Sequence, residues 1–423
     1  MLKRSNYRMR HQWITRLKIG HIVPMFCQEV TQGDIWSGSQ TGLIRLDPLA
    51  LPAFATFDID TYFFYVRHRI IDDTFEDEFT EQTNSGYPTI AAGVGDNSTN
   101  LLGALGIGIG DGIFNPSIRA HGVRAVNKVI EDFFFKDNES IGSYDQTVMQ
   151  SAYYKPGTRA DQWQDDIDQG VTETINTGGA TLDVTQVSDA LAAQRLKEMK
   201  ARYGEDFEDV MRMQGIIVSD ATLDRPEFCA KGSGMVGISE IVATASETGG
   251  DQLGDFVGHA VGGVSTRFKQ RYFSEPGTLV GVAVLRPRLQ YRNKLEKMWM
   301  ADKDEISYHP ERANMTHSEV YRYEVSTRTT VGNSEDVIAY EPRFEHLRHA
   351  NDVIAGQMAT DTYSDWTGSL DYQATAINLP NVTKCFNSKY LHLFQDTADT
   401  PKAAGFFSNK IGKSSIIPKK GRI

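Results

Sequence analysis

The sequence predicts a mainly β protein, a sandwich or jelly roll elaborated by long loops between its strands. Three observations carry this prediction. Residues 56–66 (TFDIDTYFFYV) alternate so that Phe57, Ile59, Thr61, Phe63 and Tyr65 share one face while Asp58 and Asp60 point the other way, the mark of a half-buried antiparallel strand. Residues 279–285 (LVGVAVL) are apolar on both faces and lie between Pro276-Gly277 and Pro287, which fits a central strand covered on both sides. Helical periodicity is confined to two stretches between the strands.

In chain order, strands are expected from Gly20-His21-Ile22-Val23-Pro24 onward, then at 56–66, 279–285, 320–325 (VYRYEV) and 337–344 (VIAYEPRF). In RAVNKVIEDFFFKD, Val123, Val126, Ile130 and Phe133 form one apolar helical stripe, with Arg124, Lys128, Glu131 and Asp132 on the other side. A second helix is expected from Ser188, an N-cap residue, to Tyr203, with Gly204 to end it. Core packing accounts for both stripes. Residues 83–112, 159–186 and 246–263 carry turn chemistry instead and are expected as loops, the second of them acidic and solvated.

The 423 residues suffice for a buried core. Cys27, Cys229 and Cys385 are widely spaced and offer neither a disulfide framework nor a zinc knuckle, so a reducing compartment is the default. No run is long and apolar enough to cross a membrane as a helix, and Met1-Leu2-Lys3-Arg4-Ser5-Asn6 lacks a signal-peptide core, so synthesis in the cytosol is expected. Charge is unevenly distributed. The net charge is −11, yet residues 1–18 hold six cations and residues 402–422 another six, with no acid in either stretch. The other 32 cations face all 55 acids, leaving −23 on the body. A body that acidic repels polyanions unless its charge is sorted by face, so the two ends are the candidate polyanion-binding segments. The bland alternative is that they are solubilising ends.

Catalytic motifs are missing. Gly103, Gly106, Gly108, Gly110 and Gly112 never spell G-x-G-x-x-G, and Pro116 stands where a helix should begin, so a flexible loop is expected. His346 and His349 beside Glu345 lack the H-E-x-x-H order, and an extended segment there would put the rings on opposite faces. Asp165, Asp166 and Asp168 lack the rest of a calcium loop. With no G-x-S-x-G elbow either, no catalytic residue, metal or cofactor is expected.

Several segments, in order along the chain, resemble the major capsid proteins of the Microviridae, small tailless icosahedral phages with circular single-stranded DNA. Residues 42–49 (GLIRLDPL) followed by 57–69 (FDIDTYFFYVRHR) are similar to the family's proline-containing loop and aromatic strand with basic end. Residues 124–134 (RAVNKVIEDFF) resemble its R-A-Y-N-x-I-x-N-x-F/W-F element, with Val126 in place of the aromatic. Arg225-Pro226-Glu227-Phe228, residues 277–292 (GTLVGVAVLRPRLQYR) and 295–299 (LEKMW) are similar to its R-P-E-Y and G-x-x-x-G-x-x-x-V-R-x-x-x-x-Y…L-x-x-M-W signatures. Residues 340–349 with Ile354-Ala355-Gly356 are similar to its Y-x-x-R-W/F-x-x-Y/H-R element. The segment 153–186 lacks the proline-tryptophan pattern of the family, and the chain leaves little room for the protrusion-building insertion of the gokushovirus branch.

The resemblance implies an eight-stranded antiparallel jelly-roll β-barrel with long loop insertions containing a few α-helices, assembled in many copies into a T=1-like shell around DNA. The expected organisation is a basic N-terminal arm (1–18), one jelly-roll domain (19–400) with inserted loops at about 83–112, 135–186 and 187–263, and a basic C-terminal tail (401–423). The loops would meet identical neighbours across two-, three- and five-fold contacts. The candidate DNA-facing residues are Lys3, Arg4, Tyr7, Arg8, Arg10, Trp13, Arg16, Lys18, Lys402, Lys410, Lys413, Lys419, Lys420 and Arg422, the aromatics offering surfaces for base stacking. The ends could instead tie neighbouring subunits together. Small basic packaging, pilot, scaffolding or spike proteins are further expected partners, no membrane is, and the expected location is the virion, assembled in host cytoplasm. A β-sandwich binding module or jelly-roll enzyme is the alternative; it would run as a monomer or small oligomer in size-exclusion chromatography.

Overall fold

The computed structural model describes residues 4–80, 86–91, 99–107, 117–136, 139–164, 187–188, 190–195, 224–242, 256–300, 308, 310, 317–328, 335–369 and 377–418. Among these, fourteen strands occur in chain order. They are β1 (Ser5–Leu17), β2 (Ile22–Val30), β3 (Ile35–Leu46), β4 (Phe57–Arg67), β5 (Thr89–Ala91), β6 (Ser117–Arg119), β7 (Glu227–Val242), β8 (Phe256–Tyr272), β9 (Gly277–Pro287), β10 (Gln290–Arg292), β11 (Ser318–Tyr321), β12 (Val337–Glu341), β13 (Asp352–Ile354) and β14 (Ala403–Ser415). Eight of them form one antiparallel sheet in the order β1-β14-β3-β8-β7-β4-β9-β2, which curls into a nearly closed jelly-roll barrel. The helices α1 (His68–Ile71), α2 (Phe75–Phe79), α3 (Leu101–Ala104) and α4 (His121–Phe134) lie in the insertion after β4.

The core has two layers. Inside the barrel, Phe26, Trp36, Phe57, Phe63, Phe268, Phe273 and Phe407 pack with aliphatic side chains from every wall. Outside it, Val123, Val126, Val129 and Ile130 of α4 cover Phe64 and Val66 of β4 and Val280, Val282 and Val284 of β9. Strand β9 is therefore buried on both faces, as its apolar run predicts. The expectation of a half-buried β4 is corrected: α4 covers its second face, and Asp60 is fully buried there against Arg286 at 2.6 Å. The strands expected at 320–325 and 337–344 are both cut short: β11 ends at Tyr321 where Arg322–Glu324 form a 3-10 turn, β12 ends at Glu341, and the two form a hairpin of their own outside the barrel.

Two other expectations need correction. Residues 5–17 and 403–415 are long barrel strands, paired with each other over thirteen positions from Ser5↔Ser415 to Leu17↔Ala403. The presumed loops 187–263 and 246–263 contain β7 and the start of β8. Glycines hide these strands from periodicity while making them possible: a Cβ on Gly234 would sit 2.1 Å from the Gly263 carbonyl oxygen, so only glycine permits that approach. The turn joining β1 to β2 holds Gly20 at φ 73°, where a Cβ would strike the Cys385 carbonyl. Of the helix expected at 188–203, residues 188 and 190–195 are helical and the rest lies outside the described residues, as do all of the acidic stretch 165–186 and residues 108–116 of the glycine-rich segment.

An aromatic clasp fixes the α1–α4 insertion to the barrel. The His68 and His121 rings stack at 4.5 Å, His68 Nε2 meets Thr278 Oγ1 at 3.0 Å, and His121 Nε2 meets Asp72 Oδ2 at 3.0 Å. Phe75 and Tyr87 close around them. Burial, then the neighbouring His121 and Arg119, push the His68 pKa down to about 4, and burial lowers His121 against the pull of Asp72. Both rings are neutral near pH 7. Because the unfolded chain protonates first, stability contributed here is complete above about pH 6.5 and falls as pH drops toward 4. For His68 the ceiling on this loss is about 3 kcal/mol. Chemical denaturation at pH 7 and pH 4.5 checks it: H68Q, which can keep the Thr278 bond, should lose less stability on acidification than the parent.

Candidate nucleic-acid interface

Strand alternation sorts the side chains of the basic ends. In β1, Tyr7, Met9, His11, Trp13 and Thr15 turn toward the barrel, while Asn6, Arg8, Arg10, Gln12, Ile14 and Arg16 are exposed. Its neighbour β14 exposes Phe406, Lys410 and Gly412; β3 exposes Ser37, Thr41, Leu43 and Arg45; β8 exposes Val261, Gly263, Ser265, Arg267 and Lys269. The register aligns these positions into rows that cross four strands. One row runs Arg10–Lys410–Ser39–Arg267, the next Gln12–Ser408–Thr41–Ser265, the next Ile14–Phe406–Leu43–Gly263, and the last Arg16–Ala404–Arg45–Val261. These rows contain no acid. Arg8, Arg10, Arg45, Arg267, Lys269 and Lys410 share no ion pair with any described residue, in a body that carries −23 outside the two ends.

The structure divides the sequence-predicted site residues. Arg8, Arg10 and Lys410 lie on this face, joined by Arg16, which is held by Asp47 at 2.5 Å and by the Pro401 carbonyl at 2.6 Å. Arg4 donates to the Gly33 carbonyl and lies over the Tyr272 ring. Lys18 pairs with Asp399 at 3.1 Å. Lys413 pairs with Asp34 at 2.8 Å; burial pushes that carboxyl up, but hydrogen bonds from Lys413, Ser415, Thr31 and Trp36 outweigh it and hold it below the usual carboxylate range. Lys402 is corrected: it is fully buried, bound to Asp396 at 2.8 Å, and reaches no surface of the protomer. Tyr7 and Trp13 are also corrected as exposed stacking surfaces, because the alternation turns both inward, Trp13 onto the core and the Tyr7 hydroxyl onto the Ile417 carbonyl. Lys3, Lys419, Lys420 and Arg422 lie outside the described residues.

Residues that the charge count alone missed complete the face: Arg45, Arg267 and Lys269 from the acidic body, and Ile14, Leu43 and Phe406. Alternation in β3 could have turned Arg45 outward, but its alignment with β14 and β8 is invisible locally. Among the described residues no group of three or more His, Cys, Asp or Glu is arranged to hold a metal, and no helix is long and apolar enough to cross a membrane. Residues 345–347 form a 3-10 turn, not an extended segment, so His349 Nε2 comes within hydrogen-bond distance of Glu345, at 2.7 Å.

A sequence profile described as capsid protein (F protein) matches residues 1–168 and 175–392. The chain belongs to this phage capsid family. Its relatives include the capsid proteins VP1 of three Microviridae. That of Bdellovibrio phage phiMH2K is 22% identical over 443 aligned positions, covering 84% of this chain and 81% of the relative. Those of Chlamydia phage 1 (34% identical over 79 residues) and Spiroplasma virus 4 (26% over 200) align over only 13% and 34% of their own lengths. The protein is thus a major capsid protein, a structural component of the virion that assembles with its own copies into a shell, and not an enzyme.

Proposed function

We propose that this capsid protein encloses a circular single-stranded DNA in a single-protein, T=1-like icosahedral shell and turns the four-stranded face of β1, β14, β3 and β8 toward the genome. The observation that carries this reading is the acid-free, cation-bearing face on an otherwise strongly acidic body. Cations on a rigid sheet attract phosphates without reading base sequence, which suits a container that must accept a whole genome. The inserted loops supply the contacts with identical neighbours, which obligate interfaces make extensive, on the order of 2,000 Å² or more. Small basic packaging, pilot, scaffolding or spike proteins join during assembly in the host cytoplasm.

The test is binding of an oligo-dT to purified full-length protein across a salt series. Replacing Arg8, Arg10, Lys410 and Arg267 with Gln should weaken binding roughly 10- to 100-fold at low salt and make the log–log salt slope shallower by about 3, since each neutralised single-strand phosphate contributes about 0.7. Unchanged affinity and slope, with the variant instead failing to form particles, would assign the face to contacts between subunits.

A further inference from the structure

Between the cationic rows lies a stripe of a different character. Ile14, Phe406 and Leu43 are aligned on adjacent strands, and they are 73%, 36% and 53% exposed. All three point away from the barrel, so none of them serves its interior. Gly263 continues the stripe on β8 without a side chain, and beyond Arg45 on the next row Val261 is 42% exposed. A solvated sheet face carries apolar residues singly; an aligned run across adjacent strands marks a contact surface. The surroundings restrict what can be in contact. The Arg10–Lys410–Arg267 row lies four residues away along the strands, about 13 Å, and Arg45 lies two residues away, about 7 Å. The intervening row, Gln12–Ser408–Thr41–Ser265, consists of hydrogen-bonding side chains only.

We infer that this stripe is a platform for unpaired bases: it takes the apolar faces of nucleobases whose phosphates lie on the flanking cations, and so selects single-stranded over duplex DNA. The inference rests on the cationic face meeting the genome. A ligand that fits must be anionic along its length, because cations flank the stripe on both sides, Arg10, Lys410 and Arg267 on one and Arg45 on the other, while the acid at its margin, Asp47, is already paired with Arg16. It must also offer apolar surface alongside that charge. A duplex hides its base faces in the stack, whereas a single strand exposes them. The polar row between charge and stripe is placed to meet base edges, and the phosphate path would cross the β-strands instead of following one of them.

The experiment compares three probes on the full-length protein: a 20-residue oligo-dT, an abasic deoxyribose-phosphate oligomer of the same length and charge, and a duplex of equal length. The parent should bind oligo-dT roughly tenfold tighter than the abasic oligomer. L43S/F406S should lose most of that difference, while its abasic affinity and salt slope stay at the parent's values. I14Q serves as a second variant at the most exposed position, and a thermal melt confirms that each variant is folded. Equal binding of oligo-dT and abasic oligomer by the parent overturns the platform and leaves the cationic reading intact. Failure of the parent to bind either probe overturns both. Retained base preference in the folded stripe variants, together with lost particle assembly, overturns the platform and makes the stripe a contact with a second copy of the chain.

Discussion

Removing residues 1–18 should abolish a folded barrel, not merely detach a DNA-binding arm. Strand β1 pairs with β14 at thirteen positions, and its inward side carries Leu17 at 1% exposure with Met9 and Trp13 packed against the core. His11 stacks on Phe26 of β2 at 5.3 Å, so β1 also covers the side of the barrel where the sheet ends at β2. Each large apolar side chain taken out of a core removes about 1.5–3 kcal/mol, and the truncation removes several together with a whole ladder of backbone hydrogen bonds. That loss is comparable to the 5–15 kcal/mol that holds a typical domain folded. The deletion would also expose the full edge of β14, a template for aggregation. The expected result is insoluble protein with no cooperative thermal transition, whereas R8Q/R10Q, which changes only outward side chains, should melt like the parent. A soluble truncation with an unchanged melting temperature would show that β1 is not part of the barrel's stability.

Replacing Arg159 with Ala should have the largest effect of any single substitution in the insertions. Its guanidinium is 3% exposed and binds Glu341 at 2.8 and 2.9 Å as well as Glu324, joining the 3-10 turn at 159–162 to the β11–β12 hairpin. Trp163 Nε1 and Lys297 Nζ also donate to Glu341, at 3.0 and 3.2 Å. Burial pushes both carboxyls up; at Glu341 the hydrogen bonds and charge of Arg159 prevail and hold it low, whereas at Glu324 burial prevails. Without Arg159, two fully buried carboxylates lose their shared guanidinium and keep the Lys297 ammonium beside the neutral donors Trp163 Nε1 and Tyr321 N–H, and breaking a buried network in this way costs about 3–5 kcal/mol. Urea denaturation should show the midpoint falling accordingly at pH 7, with a smaller deficit near pH 5, where the carboxyls can protonate instead of staying charged. An unchanged midpoint would contradict the network. The same contacts explain why the solvated loop expected from Arg159 onward begins as buried structure: Arg159, Ala160 and Trp163 are all inside.

The charge of the candidate interface was legible, but its shape was not. Arg8, Arg10 and Lys410 stand out in acid-free stretches, yet Arg45, Arg267 and Lys269 lie in an acidic body where counting hides them. Tyr7 and Trp13 looked suited to stacking because they lie among cations, but strand parity turns them inward and turns Ile14 and Phe406 outward.

By itself the sequence determined what depends on neighbours a few residues away. It yielded the β class, the inward face of β4, the double burial of β9, the apolar stripe of α4 and the family-wide order of motifs. Alternation and helical spacing are local, and burial reads them directly. The tertiary structure alone decided that both ends are barrel strands, that Ser5 faces Ser415 across the whole chain, and that Lys402 is buried. Partner and register in a jelly roll are set by contacts between residues hundreds of positions apart, which no local pattern encodes, and those contacts bring the scattered cations and apolar side chains of four strands onto one face.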